Sequence, residues 1–166
     1  IENHGIIEVV SQSPTEETVG ISLFPDSSNP HSYGTIINTG TLVADRAIVA
    51  LEGYSISLHI TNSGTIEGTL ERDSGINIIL NQTGARWKGD WTLGPETDYV
   101  GNSGTVTGNI ALGAGGDYYL GLGGSVSGVV GGGLAADVLI GSDGNDILSG
   151  DGGNDRIVGG LGSDII

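Results

Sequence analysis

The segment "GSDGNDILSGDGGNDRIVGGLGSDII", residues 141–166, indicates how this chain folds. It places an aspartate at every ninth position, at Asp146, Asp155 and Asp164, and Asp137 stands nine residues before the first of them. Glycines precede each aspartate, and Leu or Ile stands two places after it. Because glycine accepts backbone dihedrals that other residues avoid, this pattern predicts short strands joined by tight turns.

A longer repeat runs through the preceding residues. The central glycines of "NSGTIEG" (62–68), "NSGTVTG" (102–108) and "LGGSVSG" (122–128) fall on a 20-residue interval, and Gly84 fills the gap. A second column contains Asn77, Asp98, Asp117, Asp137 and Asp155. Residues two apart in a strand share a face, so the residues two places later are predicted to point inward. They are Ile79, Val100, Tyr119, Leu139 and Ile157.

These repeats predict an all-β fold, a right-handed parallel β-solenoid (β-helix) with coils of about 20 residues. Each unit is too small to bury its own apolar face, so it must stack on its neighbours. An antiparallel β-sandwich is the alternative, but it requires no such strict interval. We expect the solenoid to span residues 1–131, with an inserted loop at about 11–35 that contains three of the four prolines.

Two local patterns refine this prediction. Aligning Trp91 with Ile110 places both Trp91 and Trp87 in the core, and it places Arg86 in a local bulge. The asparagines at the glycine corners, Asn38, Asn62 and Asn102, are expected to form a structural ladder.

The composition restricts the classes of partner. The chain has 5 basic and 20 acidic side chains and a formal net charge of −15, which disfavours nucleic acid and anionic membranes and favours cations. It has no Cys, and no apolar run approaches the roughly 20 residues of a membrane span. The sequence contains neither H-E-x-x-H nor G-x-S-x-G, so we predict no catalytic residues.

The aspartates point to calcium. Successive nonapeptides are expected to form opposite sides of one coil, so Asp137 stacks on Asp155 and Asp146 on Asp164. Facing carboxylates repel one another without a cation. Calcium prefers 6–8 oxygen ligands, and glycine turns present backbone carbonyls, so folding is expected to be coupled to metal binding.

Residues 132–166 resemble the RTX, or hemolysin-type, calcium-binding nonapeptide G-G-x-G-x-D-x-U-x. The resemblance implies a calcium-binding β-roll continuous with the solenoid, and secretion of a bacterial protein by a type I exporter. It implies one calcium site from Ser142, Gly144 and Asp146 with Gly159, Leu161 and Asp164. It implies a second site from Gly133, Ala135 and Asp137 with Gly150, Gly152 and Asp155, although Ala135 stands where the pattern has Gly. For Asp98 and Asp117, calcium binding and a hydrogen-bonded structural role both stay open.

The sequence therefore predicts an extracellular structural solenoid, part of an adhesin, matrix fibre or surface layer. The alternative is the C-terminal secretion and folding module of an RTX hydrolase. A polysaccharide lyase or epimerase is a third interpretation, because β-helices host such enzymes. The acidic and basic residues at 45–46 and 71–73 are better explained as solvated surface ion pairs.

Self-association is the expected partner interaction, and a glycan or cell surface is a further candidate. Ile78, Tyr99, Tyr118 and Val138 are predicted to form an outward apolar stripe, which either joins solenoids sideways, stacks on sugar rings or reflects β propensity alone. The last nonapeptide is incomplete at Ile166. This favours either further sequence or end-to-end stacking of copies into a filament.

Overall fold

The computed structural model describes residues 1–3, 6–8, 18–23, 33–50 and 56–166. In these residues the chain is all-β, and no helix there is long and apolar enough to cross a membrane. The strands, numbered along the chain, are β1 (Glu2–Asn3), β2 (Ile6–Glu8), β3 (Val19–Leu23), β4 (Tyr33–Asn38), β5 (Thr41–Ala50), β6 (Ser57–Asn62), β7 (Thr65–Glu71), β8 (Asn77–Asn81), β9 (Arg86–Lys88), β10 (Trp91–Thr92), β11 (Tyr99–Asn102), β12 (Thr105–Thr107), β13 (Ile110–Gly113), β14 (Tyr118–Leu120), β15 (Ser125–Val126), β16 (Val130–Leu134), β17 (Val138–Ile140), β18 (Leu148–Gly152) and β19 (Arg156–Val158).

The strands form a parallel β-solenoid, as the repeats predict, and its first coils have three faces. The first face is an eight-stranded sheet in the order β1-β4-β6-β8-β11-β14-β17-β19. The second face contains β2, the first half of β5, the first half of β7, β9, β12 and β15. The third contains β3, the second halves of β5 and β7, β10, β13, β16 and β18.

The corner between the second and third faces depends on glycine. Strands β5 and β7 run continuously around this corner, and Gly68 turns β7 with a φ of 129°. A Cβ atom on Gly68 would lie 2.0 Å from the Ala44 carbonyl oxygen of the coil before. Only glycine permits both this backbone conformation and this close approach.

The second face ends at β15, and the coils below it have two faces. The interval along the aspartate column shortens accordingly, from 20 residues between Asp117 and Asp137 to 18 between Asp137 and Asp155. The first face continues unbroken through this change. The three-faced solenoid and the two-faced roll therefore share one continuous sheet.

The predicted inward column forms the core of the first face. Ile79, Val100, Tyr119 and Leu139 are paired in successive strands and buried, and Ile157 packs against the same core. The other faces contribute the remaining apolar side chains. Stacking of coils thus buries one continuous core that no single coil could form.

The two tryptophans point inward, as predicted. Trp87 pairs with Val106 and Trp91 with Ile110, and each is 1% exposed. Their ring centroids lie 4.5 Å apart, and Trp87 Nε1 donates a 3.0 Å hydrogen bond to the Gly68 carbonyl. They serve as core residues in the described structure.

The predicted bulge at Arg86 is wrong. Arg86 pairs in register with Thr65 on one side and Thr105 on the other. The extra residues lie in the preceding corner, which contains four residues, 82–85, where the neighbouring corners contain 63–64 and 103–104. A corner accommodates extra length without disturbing the strand ladder, which is why the register survives.

The predicted inserted loop at about 11–35 contains regular structure. Strand β3 lies within it and pairs with β5, and β4 begins at Tyr33. Residues 11–17 and 24–32 of that range lie outside the described residues. All three prolines of this segment lie outside the described residues.

Candidate metal centre

A ladder of side chains runs along the corner between the third and first faces. Oδ1 of each aspartate accepts a hydrogen bond from the backbone N–H of the equivalent residue one coil earlier. The distances are 2.6 Å for Asn77 to Asp98, 2.7 Å for Asp98 to Asp117, 2.8 Å for Asp117 to Asp137 and 3.0 Å for Asp137 to Asp155. The predicted column is thus a physical stack of four carboxylates beneath one amide.

The opposite edge of the roll carries a second, shorter ladder. The N–H of Asp146 donates a 3.0 Å bond to Oδ1 of Asp164, which lies 18 residues on. Within its own turn, Oδ2 of Asp146 accepts bonds from the backbone N–H and the hydroxyl of Ser142, at 2.7 and 3.0 Å. Asp137 with Asp155 and Asp146 with Asp164 therefore stack as the sequence predicts.

Backbone carbonyls of one turn face the next turn along the roll. Added Cβ atoms on Gly160 and Gly162 would lie 2.0 and 2.4 Å from the carbonyl oxygens of Ser142 and Gly144. On the other edge, a Cβ on Gly153 would lie 1.5 Å from the Ala135 oxygen. Glycines in the following turn make room for oxygens that could also bind a cation.

The family comparison agrees with this geometry. Residues 131–166 match the model of the RTX calcium-binding nonapeptide repeat, in four copies. This segment consists of RTX repeats. The family binds calcium, which supports a calcium-binding structural repeat domain within this solenoid. No curated protein and no solved structure matches the chain.

The RTX repeats contain an oxygen that fits a bound cation. Asp137 is 1% exposed, and its Oδ2 has no hydrogen-bond partner. Burial raises the pKa of Asp137, and the charges of Asp155 and Asp151 add to this, although the N–H of Asp117 opposes it. A calcium ion held there would supply the positive charge that these facing carboxylates lack.

The residues of the two predicted calcium sites lie in stacked turns. The turn at 133–137 lies against that at 150–155, and the turn at 142–146 against that at 159–164. The individual ligands stay predictions. Ala135 adopts a φ of 77°, so the turn keeps the left-handed conformation although the pattern has Gly there. No cluster of three His, Cys, Asp or Glu side chains occurs in the described ranges, which leaves carbonyl oxygens as necessary donors.

The asparagine ladder is confirmed and has a member that the sequence analysis missed. Asn38 donates to Asn62 at 2.8 Å, Asn62 to Asn81 at 2.9 Å, and Asn81 to Asn102 at 2.9 Å. All four side chains are buried. Asn81 follows "NIIL" as Asn62 follows "LHIT", but the longer corner after it hid the alignment.

The ion pairs expected at 45–46 and 71–73 are arranged differently. Arg46 pairs with Glu71, and Asp45 accepts bonds from the N–H and hydroxyl of Thr18 at 3.0 and 2.8 Å. Arg72 is only 2% exposed and is no surface ion pair. Its Nε donates to Asn77 Oδ1 at 2.9 Å, and Nη2 donates to carbonyls of Ile56 and Ser74.

A groove of about 580 Å³ follows the corner between the second and third faces. Its acidic side chains are Asp45, Glu67 and Asp90, and Lys88 approaches Glu67 at 3.7 Å. Asp45 is engaged by Thr18, and Oδ1 of Asp90 accepts a 2.7 Å bond from the Asn109 N–H. These contacts connect coils, so the groove residues have structural roles.

Proposed function

We propose that this chain is an extracellular structural solenoid, stabilised by calcium, that forms part of an adhesin, matrix fibre or surface layer. The observation that carries the proposal is the unbroken first face, from β1 to β19. Through it, the RTX repeats extend the same hydrogen-bonded ladder as the three-faced coils. Calcium binding in the roll therefore stabilises coils that belong to the same rod, and a rod suits a spacer or scaffold.

The same segment supports an extracellular location. RTX repeat proteins are typically secreted by type I secretion, and calcium outside the cell is far more abundant than inside. The net charge of −15 opposes compaction without a cation. The chain would stay unfolded during secretion because its negative charges repel one another, and it would fold outside the cell because calcium there neutralises them.

Lateral association of copies is part of the proposal. On the first face, Ile78, Tyr99 and Tyr118 are 40%, 44% and 41% exposed, and Val138 is half-buried. The rings of Tyr99 and Tyr118 stack at 5.0 Å with 4° between their planes. Rings stacked on one another present their edges outward, which favours a flat protein surface over face-on stacking with sugars.

Two experiments test this function. Sedimentation and electron microscopy of the purified chain, with millimolar calcium and with EGTA, should show folded rods that assemble only in calcium. End-to-end filaments would support the polymerisation that the sequence predicts, and sheets or bundles would support lateral contact. Compact monomers at high concentration in calcium would contradict the assembly proposal.

The second candidate is the secretion and folding module of a larger RTX hydrolase, favoured by the RTX repeats themselves. The intact mass of the natural secreted product separates the two functions. A product close to 16.7 kDa supports the structural role, and a much larger product with hydrolase activity supports the module.

A further inference from the structure

Three buried carboxylates in the ladder share one unusual feature. Asp98, Asp117 and Asp137 are at most 1% exposed, and in each the Oδ2 atom has no hydrogen-bond partner. Their Oδ1 atoms are already engaged by N–H groups of the preceding coil. A buried carboxylate oxygen without a partner is strongly disfavoured unless a cation or a proton meets it. Only Asp137 belongs to the RTX repeats.

The turn at 112–117, which precedes the RTX repeats, stacks on the first RTX turn in the way that RTX turns stack on each other. Gly113 pairs with Gly133, and a Cβ on Gly133 would lie 1.7 Å from the Gly113 carbonyl oxygen. The matching distance between Gly160 and the Ser142 oxygen is 2.0 Å. In both pairs of turns, the carbonyl of the second residue of the earlier turn, Gly113 or Ser142, thus faces the later turn.

The first RTX turn also has the required glycine. A Cβ on Gly132 would lie 2.3 Å from Oδ2 of Asp137, and Gly150 and Gly159 have the same relation to Asp155 and Asp164, at 2.3 and 2.2 Å. The unpartnered Oδ2 of Asp137 is therefore directed into its own turn, beside Gly132. A side chain at position 132 would collide with this oxygen.

We propose that a further calcium ion binds between the turns 112–117 and 132–137, outside the sites that the RTX resemblance implies. Its ligands are the carboxylates of Asp117 and Asp137, the carbonyls of Gly113 and Gly115, and the carbonyls of Gly132 and Leu134. This donor set meets the 6–8 oxygens that calcium prefers. The inference rests on the proposed calcium-stabilised solenoid and extends it upward by one coil.

Electrostatics support the site. Burial raises the pKa of Asp117 to about 6, and the charge of Asp137 adds to this effect, although the N–H of Asp98 opposes it. Asp117 and Asp137 are thus two neighbouring desolvated carboxylates, and no basic side chain contributes to the shift of either pKa. A divalent cation between them satisfies both.

The column of metal sites ends at this coil for a steric reason. Leu112 stands where the RTX turns have glycine, and its side chain is fully buried in the core. Two coils higher, the Arg72 guanidinium provides a positive charge within the chain, bonded to Asn77 in the same ladder. Burial lowers the pKa of Arg72, and the nearby charge of Asp98 opposes this effect. The positive charge in the upper part of the ladder therefore comes from Arg72, and in the lower part it comes from calcium.

Calcium titration calorimetry on the full chain tests the inference. We expect wild type to bind three calcium ions and Asp117→Asn to bind two. Asn77 shows that an amide fits this ladder, so the variant keeps the bond to the Asp98 N–H. Asp90→Asn is the matched control, because Oδ1 of Asp90 also accepts an N–H of the neighbouring coil, that of Asn109, but Asp90 is exposed. It should bind three.

The outcomes separate the inference from the proposed function. Two ions in both wild type and Asp117→Asn would overturn the further site and leave the RTX sites intact. No bound calcium in wild type would overturn both. Near-ultraviolet circular dichroism of the aromatic residues shows whether Asp117→Asn folds. If it does not fold, the number of calcium ions bound by wild type alone decides.

Terbium luminescence gives a second measurement of the site, since Tyr118 follows Asp117 directly. Tyrosine-sensitised luminescence should fall in Asp117→Asn and persist in Asp90→Asn, and equal signals would count against the site.

Discussion

The backbone N–H of Asp137 donates a 3.0 Å hydrogen bond to Oδ1 of Asp155, one coil further along the chain. This single contact places two carboxylates of the RTX repeats in adjacent coils. It also continues a ladder that begins at Asn77, far outside the repeats. The calcium-binding roll and the solenoid are therefore one hydrogen-bonded structure, and perturbations of either should be felt at their junction.

Asp146 provides a direct test of the predicted ligands. We expect Asp146→Ala to lower the melting temperature in calcium, because it removes a carboxylate from a stacked pair and its bonds to Ser142. Asp143→Ala is the matched control, since Asp143 lies in the same turn but is exposed and outside the predicted ligand set. Thermal melts in calcium and in EGTA measure both. Equal losses for the two variants would refute the assigned ligands.

The asparagine ladder should contribute strongly to stability without calcium. Asn81→Ala removes the bond from the Asn62 amide and the bond to Asn102 Oδ1, which leaves each of these buried groups with one longer bond, to the Arg86 carbonyl and from the Gly104 N–H. Each lost hydrogen bond is worth about 0.5–1.5 kcal/mol. We expect the free energy of unfolding to fall by about 2 kcal/mol or more. Asn109→Ala, at an exposed corner position, should change it little. Urea denaturation in EGTA compares them, and a neutral Asn81→Ala would disprove the structural role.

These elements show what the sequence could predict. The inward column from Ile79 to Ile157, the core tryptophans and the stacked aspartates follow from residue intervals, because parallel strands convert a repeat directly into register. The corner at 82–85 and the strand β3 did not follow, since corners vary in length without changing the ladder. Arg72 was misassigned because its burial depends on carbonyls of Ile56 and Ser74 that come together only in the stacked coils.

Stability without metal should depend on pH through Asp98. Burial raises the pKa of Asp98 to about 7 from its ordinary value of 3.8, against the opposing hydrogen bonds from Asn77. The folded state then binds a proton more tightly than the unfolded state, so this group's stabilisation is lost as pH rises through about 7. In EGTA, the stability of wild type relative to Asp98→Asn should fall between about pH 4 and about pH 7, the unfolded and folded pKa values of Asp98. Parallel pH profiles from chemical denaturation would show that Asp98 titrates normally.

The outward stripe should control lateral association. Tyr118→Asp places a charge beside Tyr99 and Val138 on the exposed first face, so we expect assembly in calcium to be lost while the melting temperature changes by only a few degrees. Thr107→Asp adds the same charge at an exposed position on the second face and should assemble like wild type. Sedimentation velocity measures both. Unchanged assembly of Tyr118→Asp would show that the stripe is no interface and reflects only the β propensity of its residues.

The central claim, that calcium binding completes the fold of the RTX repeats, is tested most directly by far-ultraviolet circular dichroism before and after chelation. In millimolar calcium the full chain should show its complete β signal. After EGTA we expect part of that signal to be lost and the first unfolding transition to move to lower temperature, because the stacked carboxylates at 137, 155, 146 and 164 then repel one another. Readdition of calcium should restore both. A spectrum and a melting curve that are identical with calcium and with EGTA would contradict the account.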